Sequence, residues 1–349
     1  MQDVVRDILA AVVSGKILDE ETAEAFLSAW MDGHVSPVQA AALVSVMAHR
    51  GEQPAEIAGF ARAMRNHAVR LQAPEGALDT CGTGGDGKDT FNISTAVAFV
   101  AAAAGIPVAK HGNRAASSRS GSADVLQALG AVIDLPVSAS EALLRETGLC
   151  FLFAQVYHPA MKVAAQVRKE LGFRTIFNIL GPLTNPAGAK RQVLGVFHER
   201  LVPLVGQALV SLESEHALVV HGAEGLDELS LSGPSLVAEV RDGEVRTYRL
   251  APEDVGLRSA PIEAVRGGSP EENAEIVRRV LAGDERGAKR DIVLYNAGAA
   301  LYVGGKAASV REGVALAAEL IDAGRALAAL HAFVQGTRKL ARVEEAVSP

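Results

Sequence analysis

The chain has 349 residues, of which 49% are hydrophobic and 4% aromatic, and its formal net charge is −7 at pH 7. This composition is typical of a soluble, helix-rich protein with one large or two ordinary domains. The negative charge argues against a nucleic-acid partner bound through a broad basic face. The 2 cysteines make no disulfide framework, and neither a signal pattern nor a membrane-spanning apolar run is present. We therefore expect a cytoplasmic protein with no membrane partner.

The first part of the chain, residues 1 to about 72, has apolar residues at helical spacing and no strand pattern between them. Ser36 followed by Pro37 is a good N-cap and first-turn proline for one helix, and Pro54 begins another. The pattern predicts a small all-helical unit that serves dimerisation or packing.

From Ala77 onward the pattern changes to strands that alternate with helices. Strands are predicted at 77–80, 107–110, 131–133, 150–154, 192–197, 217–221 and 292–295. Helices are predicted at 93–104, 122–129, 140–147, 201–211 and 272–282, with a further helical region at 310–340. Segments 237–240 and 245–250 flank Asp242-Gly243, a hairpin signal. The alternation predicts a mostly parallel sheet covered on both faces, with one antiparallel piece late in the chain.

A glycine-rich loop stands between the first predicted strand and the following helix. Its glycines are Gly82, Gly84, Gly85 and Gly87, and a helical pattern begins at Asn92. Glycine permits backbone angles and close approaches that a Cβ would block. Such a loop at a helix N-terminus offers free N–H groups and the positive end of the helix dipole. It predicts a phosphate or pyrophosphate site, against the alternative of a tight turn with no ligand.

Two familiar phosphate-binding motifs match this loop only in part. Residues 82–87 have the Gly-x-Gly-x-x-Gly spacing of the dinucleotide fingerprint, but NAD binding also requires an acidic residue after the next strand. That strand ends in Lys110-His111 instead. Residues 82–88 approach the P-loop pattern, but Asp89 stands where a Ser or Thr must meet Mg²⁺. Neither motif accounts for the loop.

A local concentration of positive charge and hydroxyl groups follows the second predicted strand. Its cations are Lys110, Arg114 and Arg119. This mixture suits a sugar phosphate and its diphosphate, with a solvated basic loop as the alternative.

A pair of carboxylates, Asp227-Glu228, follows the predicted strand 217–221 by a short turn. Adjacent carboxylates on a loop can hold Mg²⁺ against a diphosphate, because Mg²⁺ takes one or two carboxylates together with phosphate oxygens. Arg168, taken alone on a predicted helix, would be an ordinary exposed arginine.

Together these motifs resemble those of the anthranilate phosphoribosyltransferase family along nearly the whole chain. The matching segments stand in the same order: GTGGD at 82–86, NIST at 92–95, KHGNRAASS at 110–118, HPAM at 158–161, RKELG at 168–172, FNILGPLTNP at 177–186, LDE at 226–228 and NAGAALYV at 296–303. Several independent motifs in one order are far more specific than any one of them.

The resemblance implies an α/β fold, with a small all-helical domain plus a large α/β domain that has a mostly parallel central sheet. The small domain would comprise 1–74 and about 160–185, and would carry the anthranilate side and the homodimer contact. The large domain, 75–159 and 186–349, would bind phosphoribosyl pyrophosphate. The implied activity is the Mg²⁺-dependent transfer of the phosphoribosyl group to the amine of anthranilate, which gives N-(5-phosphoribosyl)anthranilate and diphosphate in tryptophan biosynthesis.

The resemblance also implies roles for individual residues. Phosphoribosyl pyrophosphate would be bound by Gly82, Gly84, Gly85, Asp86, Thr90, Asn92, Ser94, Thr95, Lys110, Asn113, Ser118 and Ser122. Anthranilate would be bound by Gly82, His111, Asn113, Arg168 and Gly181, with Arg168 pairing with its carboxylate. Mg²⁺, two ions per subunit, would be held by Ser94, Asp227 and Glu228. No acid–base catalyst is expected, because a neutral aromatic amine needs orientation, through Arg168 and Lys110, more than deprotonation.

Two other functions remain as alternatives at this level. A pyrimidine nucleoside phosphorylase would bind inorganic phosphate, which leaves GTGGD and the Asp-Glu pair unexplained. A non-enzymatic nucleic-acid-binding relative would carry a basic surface, whereas this chain is acidic and has Arg168.

Overall fold

The computed structural model describes residues 2–115 and 119–347. Its helices are α1 (Gln2–Val13), α2 (Glu20–Met31), α3 (Pro37–Arg50), α4 (Pro54–Asn66), α5 (Ile93–Ala103), α6 (Ser122–Ala128), α7 (Val137–Thr147), α8 (Ala154–Tyr157), α9 (Lys162–Leu171), α10 (Phe177–Leu180), α11 (Leu201–Ser211), α12 (Pro270–Ala282), α13 (Ala288–Val303), α14 (Val310–Asp322) and α15 (Arg325–Val347). Its strands are β1 (Leu78–Asp79), β2 (Val108–Gly112), β3 (Leu149–Phe153), β4 (Arg191–Gly195), β5 (His216–His221), β6 (Ser235–Arg241) and β7 (Glu244–Leu250). No helix within these ranges is long and apolar enough to cross a membrane.

In the described part of the chain, seven strands form one sheet in the order β3-β2-β1-β4-β5-β6-β7. The strands from β3 to β5 in this order are parallel, and β6 and β7 are antiparallel. The predicted fold class is confirmed: helices at the N-terminus are joined to a mostly parallel α/β unit. The strand order reverses beside β1, and ligands in such sheets bind in the crevice beyond the carboxyl ends of the strands at this point.

The predicted hairpin is confirmed as β6 and β7. Its two turn residues, Asp242 and Gly243, have φ values of 53° and 78°. Positive φ at both positions is the requirement of a type I′ turn, which matches the twist of the paired strands.

Two of the predicted strands are wrong. Residues 292–295 lie inside α13, where all four side chains are buried. A short apolar run looks the same in a helix buried on every side as in a buried strand, so periodicity cannot separate the two. Residues 131–133 have no regular structure and lead into α7 with Ala131 and Ile133 buried. The predicted helical region 310–340 divides into α14 and α15 at Gly324, whose φ is 70°.

The N-terminal helices begin where the sequence predicts. At the start of α3 the Gln39 N–H donates to Ser36 Oγ at 3.3 Å, and the Ser36 N–H donates back to Gln39 Oε1 at 3.0 Å. This reciprocal capping box, with Pro37 in the first turn, satisfies N–H groups that have no partner inside the helix. Pro54 likewise stands in the first turn of α4, where the Gln53 N–H donates to Glu56 Oε2 at 3.0 Å.

Two hydrophobic clusters form the core, one on each face of the sheet. One contains Leu218 and Val220 of β5, together with residues of α5 to α7 and α12 to α15. The other contains Ala217 and Val219 of β5, together with residues of α1 to α4 and α9 to α11. Adjacent strand residues therefore point into different clusters, as expected for a strand buried on both faces.

The central segment from α9 to α10 packs against the N-terminal helices. The Phe177 ring lies edge-on to Trp30 at 5.5 Å and to Phe60 at 6.3 Å between centroids. Ala164 and Val167 of α9 belong to the same cluster. The end of this segment, Gly181, contacts the sheet edge at His111. The segment thus spans from the N-terminal helices to the carboxyl ends of the strands.

Candidate active site

The glycine loop runs from the end of β1 to the first turn of α5. The Thr83 N–H donates to the Gly195 carbonyl oxygen at 2.8 Å, and the Gly84 N–H donates to Asp227 Oδ2 at 2.7 Å. The loop therefore lies across the ends of β1 and β4 and touches the turn that follows β5. The N–H of Gly84 thus has a carboxylate partner within the protein, which fixes the loop against Asp227.

Two different constraints require glycine in this loop. Gly84 and Gly85 have φ values of 65° and 74°, in the left-handed region that L side chains rarely adopt. Gly82 has no such angle, but a Cβ there would lie 2.8 Å from Asp227 Oδ2. The loop is thus shaped partly by turn geometry and partly by its close approach to the carboxylates.

Gly195, at the end of β4, gives a direct test of that close approach. A Cβ at Gly195 would lie 1.6 Å from the carbonyl oxygen of Asp227, a backbone atom that cannot move without its loop. We expect Gly195→Ala to destabilise the fold by about 1–3 kcal/mol and to remove most of the activity, because Asp227 and the glycine loop must shift. Thermal unfolding and turnover measure the two effects.

The matched control is Gly287→Ala, at the N-cap of α13. Its Cβ would meet only Glu285 Oε1, at an ordinary 3.7 Å, so turnover should match that of the wild type, and stability should fall by less than about 1 kcal/mol, through the N-cap preference for glycine over alanine. Full activity of Gly195→Ala would show that the packing of Asp227 on β4 does not shape the site.

Lys110 joins the glycine loop to α5. Its side chain is 2% exposed, and Nζ donates to the Thr80 carbonyl oxygen at 3.1 Å, to Thr80 Oγ1 at 3.3 Å and to Ser94 Oγ at 3.2 Å. A buried ammonium needs such partners, since burying an unpaired charge is costly. The structure therefore brings Lys110 and Ser94 together and fixes a positive charge beneath the loop.

Asp227 and Glu228 form an acidic group on the other side of the loop. Burial, and then the nearby charge of Asp86, raises the pKa of Asp227 to about 7. Burial, and then the charge of Asp227, raises the pKa of Glu228 well above its ordinary value, while a main-chain hydrogen bond from Ser94 opposes this rise. The predicted metal residues Ser94, Asp227 and Glu228 are thus neighbours.

These residues fit Mg²⁺ because they place more negative charge together than the fold itself compensates. No group of three or more His, Cys, Asp or Glu side chains with metal-holding geometry occurs within residues 2–115 and 119–347. Mg²⁺ does not need one, since it is usually held by one or two carboxylates plus substrate phosphates and water. A divalent cation would relieve the repulsion that raises the pKa of both carboxyl groups.

A pair of buried histidines lies beside β2. The rings of His111 and His158 are 5.1 Å apart between centroids, and Nε2 of each has no hydrogen-bond partner among the described residues. Nδ1 of His111 is 3.0 Å from the Gly181 carbonyl oxygen. Burial lowers the pKa of His111 to about 3 and that of His158 to about 4, so both rings are neutral at pH 7. Two neutral imidazoles with free nitrogens suit a polar aromatic ligand.

Asp79, at the end of β1 before the glycine loop, connects this strand to the segment beside the histidine pair. Its carboxylate accepts hydrogen bonds from the main-chain N–H of His111 at 3.1 Å and from Asn185 Nδ2 at 2.7 Å. Asn185 Nδ2 also donates to the Ala109 carbonyl oxygen at 2.8 Å. Burial raises the pKa of Asp79 to about 6, against the stabilising charge of Lys110. This network fixes the ends of β1 and β2 relative to the segment that ends in Gly181.

The remaining predicted residues lie around the carboxyl ends of the strands and differ in how deeply they are buried. Asn92 accepts from Ser120 Oγ at 3.2 Å and from Asn273 Nδ2 at 3.0 Å, so its side chain ties α5 to α12. The buried Thr95 Oγ1 has no partner among the described residues. Ser122 Oγ donates to the Asn113 carbonyl oxygen at 3.3 Å. Thr90 forms an isolated antiparallel bridge with Arg266. Ser118 lies outside the described residues.

Arg168 is exposed on α9, with its guanidinium 5.6 Å from the centroid of the Phe177 ring. A Cβ at Gly181 would meet nothing within 4 Å, so this glycine faces open space. The structure places both residues on the segment that borders the histidine pair.

Four residues of the site are absent from the sequence prediction: Asp79, His158, Arg174 and Asn185. His158 and Asn185 stand inside motifs that carry the family resemblance, so position alone would have found them. Asp79 lies inside the first predicted strand, and its sequence position gives no separate signal. Arg174, which donates a hydrogen bond to the carbonyl oxygen of Gly85 in the glycine loop, has no signal in its local sequence, because Gly85 lies 89 positions earlier.

Comparisons with known proteins agree with this arrangement. Residues 74–327 match a family model described as "Glycosyl transferase family, a/b domain", and residues 6–68 match "Glycosyl transferase family, helical bundle domain". An anthranilate phosphoribosyltransferase of Rubrobacter xylanophilus is 53% identical over 97% of this chain and 99% of its own length. The crystal structure of the Thermus thermophilus anthranilate phosphoribosyltransferase has a TM-score of 0.90 at 50% identity, covering 95% of this chain and 99% of that one. A Saccharomyces cerevisiae structure of this enzyme in complex with PRPP and Mg has a TM-score of 0.88 at 27% identity, covering 97% and 99%.

Proposed function

Because the chain belongs to the anthranilate phosphoribosyltransferase family, we propose that it transfers the phosphoribosyl group of phosphoribosyl pyrophosphate to the amine of anthranilate, in tryptophan biosynthesis. The amine nitrogen forms a bond to the anomeric carbon, the bond from that carbon to the diphosphate breaks, and a proton passes from the nitrogen to the departing diphosphate or to solvent water. The products are N-(5-phosphoribosyl)anthranilate and diphosphate. The observation that supports this best is the meeting of the glycine loop, Lys110 and the Asp227-Glu228 pair at one sheet edge.

The main demand of this reaction is to stabilise the charge of the departing diphosphate. Fixed N–H donors and cations meet that demand without rearranging during the reaction. The loop residues Gly82, Gly84, Gly85 and Asp86 would hold the diphosphate, with Lys110 as a fixed cation beneath them. Mg²⁺, when held by Ser94, Asp227 and Glu228, supplies further charge neutralisation. We propose two ions per subunit.

The sugar phosphate would lie along the start of α5 and the loop after β2. The positive end of the helix dipole favours an anion at this helix N-terminus. The residues that we propose as its contacts are Thr90, Asn92, Ser94, Thr95, Asn113, Ser118 and Ser122. The unpartnered buried hydroxyl of Thr95 supports this placement, because buried polar groups usually have a partner.

Anthranilate would bind beside the histidine pair. Arg168 offers a planar guanidinium for a bidentate contact with the anthranilate carboxylate. His111 and His158 present neutral rings to the aromatic amine, with Asn113, Gly181 and Gly82 completing the pocket. Since the amine is already neutral at pH 7, this side of the site orients the acceptor and needs no acid–base catalyst.

The direct test is the fluorescence of anthranilate after enzyme, phosphoribosyl pyrophosphate and Mg²⁺ are added together. Loss of fluorescence that requires all three components supports the transferase. Folded protein that binds phosphoribosyl pyrophosphate but leaves anthranilate unchanged would contradict the acceptor, and other aromatic amines and nucleobases would then be assayed.

The raised pKa of Asp227 gives this activity a pH dependence. A carboxyl group binds Mg²⁺ only when it is deprotonated, and the pKa of Asp227 is raised to about 7. We therefore expect kcat/KM for phosphoribosyl pyrophosphate to fall as the pH drops below about 7, since kcat/KM reports groups of the free enzyme. Higher Mg²⁺ should move the midpoint to lower pH, because the metal competes with the proton. A midpoint near the ordinary Asp pKa, unaffected by Mg²⁺, would contradict this assignment.

We also propose a division of the chain and an assembly state. The small domain would comprise 1–74 and about 160–185, and the large domain 75–159 and 186–349. Exposed apolar side chains on the N-terminal helices and in the loop after α1, namely Val4, Val13, Val38 and Ile17, support a homodimer formed through the small domain. A cytoplasmic location fits a biosynthetic enzyme with unpaired cysteines.

A further inference from the structure

Arg174 connects the two substrate-binding sides of the site. It stands between α9 and α10, just after Gly172, which ends α9 in the left-handed conformation with a φ of 67°. From there its guanidinium donates a hydrogen bond to the carbonyl oxygen of Gly85 and lies 4.3 Å from the centroid of the Phe197 ring. Arg174 thus reaches from the anthranilate side onto the glycine loop.

Of the two partners of Arg174, Gly85 is part of the glycine loop and Phe197 is hydrogen-bonded to it. The main-chain N–H of Phe197 donates to Thr83 Oγ1 at 3.1 Å. The N–H of Thr83 in turn donates to the Gly195 carbonyl oxygen at 2.8 Å, two residues before Phe197. The guanidinium therefore lies on the ring of Phe197, whose main-chain N–H is hydrogen-bonded to Thr83 of the loop, and it donates to Gly85 of the same loop.

The backbone around Arg174 is held in place by its neighbours. Arg174 lies six residues after Arg168, and the Thr175 N–H that follows it donates to Asn178 Oδ1 at 3.0 Å. Ile176 and Phe177 are buried against the N-terminal helices. The backbone at Arg174 is therefore held by packing rather than free to follow the glycine loop.

Gly85 needs such a restraint, because glycine populates several backbone conformations about equally. A loop that must present its N–H groups to a diphosphate binds more tightly when its conformation is fixed beforehand. An arginine can stack its plane on a ring and donate a directed hydrogen bond at once, which a lysine cannot do as well. Resting on the proposed function, we propose that Arg174 is a positioning residue that fixes Gly85, and so sets the affinity for phosphoribosyl pyrophosphate rather than for anthranilate.

The test compares Arg174→Ala with wild type in steady-state kinetics and in direct titration of phosphoribosyl pyrophosphate with Mg²⁺. The loss of one charged hydrogen bond should raise both KM and Kd for phosphoribosyl pyrophosphate about tenfold. The KM for anthranilate and kcat should change less than about twofold, since the acceptor side is untouched. Arg174→Lys should recover only part of the affinity. The control is Lys169→Ala, which removes a cation of the same segment and should leave both constants unchanged.

Two outcomes would overturn the inference. One is a wild-type Kd for phosphoribosyl pyrophosphate in Arg174→Ala. The other is an equal loss of affinity for both substrates in the Ala and Lys variants, which indicates a general structural role. The titration does not depend on turnover, so a wild-type protein that binds phosphoribosyl pyrophosphate but does not consume anthranilate would refute the proposed function and still test Arg174.

Discussion

Replacing Asp227 with Asn and Glu228 with Gln together should lower Mg²⁺-dependent kcat/KM by about 1,000-fold or more, leaving the fold intact. The two carboxylates that we propose as Mg²⁺ ligands lie beside Ser94, and their amide counterparts do not hold Mg²⁺ against a diphosphate. Removing one fixed group that stabilises developing charge commonly costs two to three orders of magnitude in kcat, which is about 3–4 kcal/mol. Loss of both should exceed this.

The stability of this double variant, unlike its activity, should not fall. The folded-state pKa values of both carboxyl groups lie above their ordinary values. Each group therefore costs stability above its unfolded pKa, because the fold disfavours its charged form. Removing the charges should leave the melting temperature unchanged or raise it. The hydrogen bond from the Gly84 N–H to Oδ2 of Asp227 need not be lost, because the side-chain amide oxygen introduced by Asp227→Asn can accept it.

Mg²⁺ titrations of turnover, paired with thermal unfolding, separate these effects. Glu224→Gln is the control, since Glu224 is an exposed carboxylate in the same turn and should be dispensable. Normal Mg²⁺-dependent activity in the double variant would refute the metal assignment.

Arg168→Ala should weaken the use of anthranilate and spare phosphoribosyl pyrophosphate. A charged bidentate hydrogen bond to a carboxylate is among the stronger polar contacts, and its loss in a partly closed site commonly costs about 2–3 kcal/mol. We therefore expect kcat/KM for anthranilate to fall by about 30- to 100-fold. The Kd for phosphoribosyl pyrophosphate should stay within about twofold, because the glycine loop and Lys110 are untouched.

The charge-preserving variant makes this prediction sharper. Arg168→Lys keeps a cation on α9 but loses the planar guanidinium. Its kcat/KM for anthranilate should therefore lie between the values of wild type and Arg168→Ala. Unchanged anthranilate kinetics in Arg168→Ala would remove Arg168 from the site and leave its place over the Phe177 ring as a packing contact.

Much of the fold could be predicted from the sequence, and so could the meeting of the glycine loop, Lys110 and Asp227-Glu228. The glycine loop, Lys110 and Asp227-Glu228 each follow a predicted strand or end one, and parallel strands bring their carboxyl ends to one edge. Those residues meet in the structure as that rule requires. Their individual contacts with substrate and metal stay predictions.

The rest depends on packing between segments that are distant in sequence. Residues 292–295 look like a strand, but α13 is buried on every side, so no polar face marks it as a helix. Arg174 and Gly85 are 89 positions apart, and neither residue type predicts the other as a partner. Asp79 gains its importance only when Asn185 folds against it. Local patterns report which element a residue occupies, and long-range contacts decide what that element touches.

The second hydrophobic cluster has a consequence for how the chain gains its stability. It runs without a break from Phe60 of α4, through Leu209 of α11, to Val219 in the middle of the sheet. The N-terminal helices and this sheet face therefore bury the same apolar surface, and neither can lose it alone. Because they share this core, we expect the N-terminal helices and this sheet face to lose their structure together. A sequence change in the helices then alters the folded population of the entire enzyme, however far it lies from the cleft.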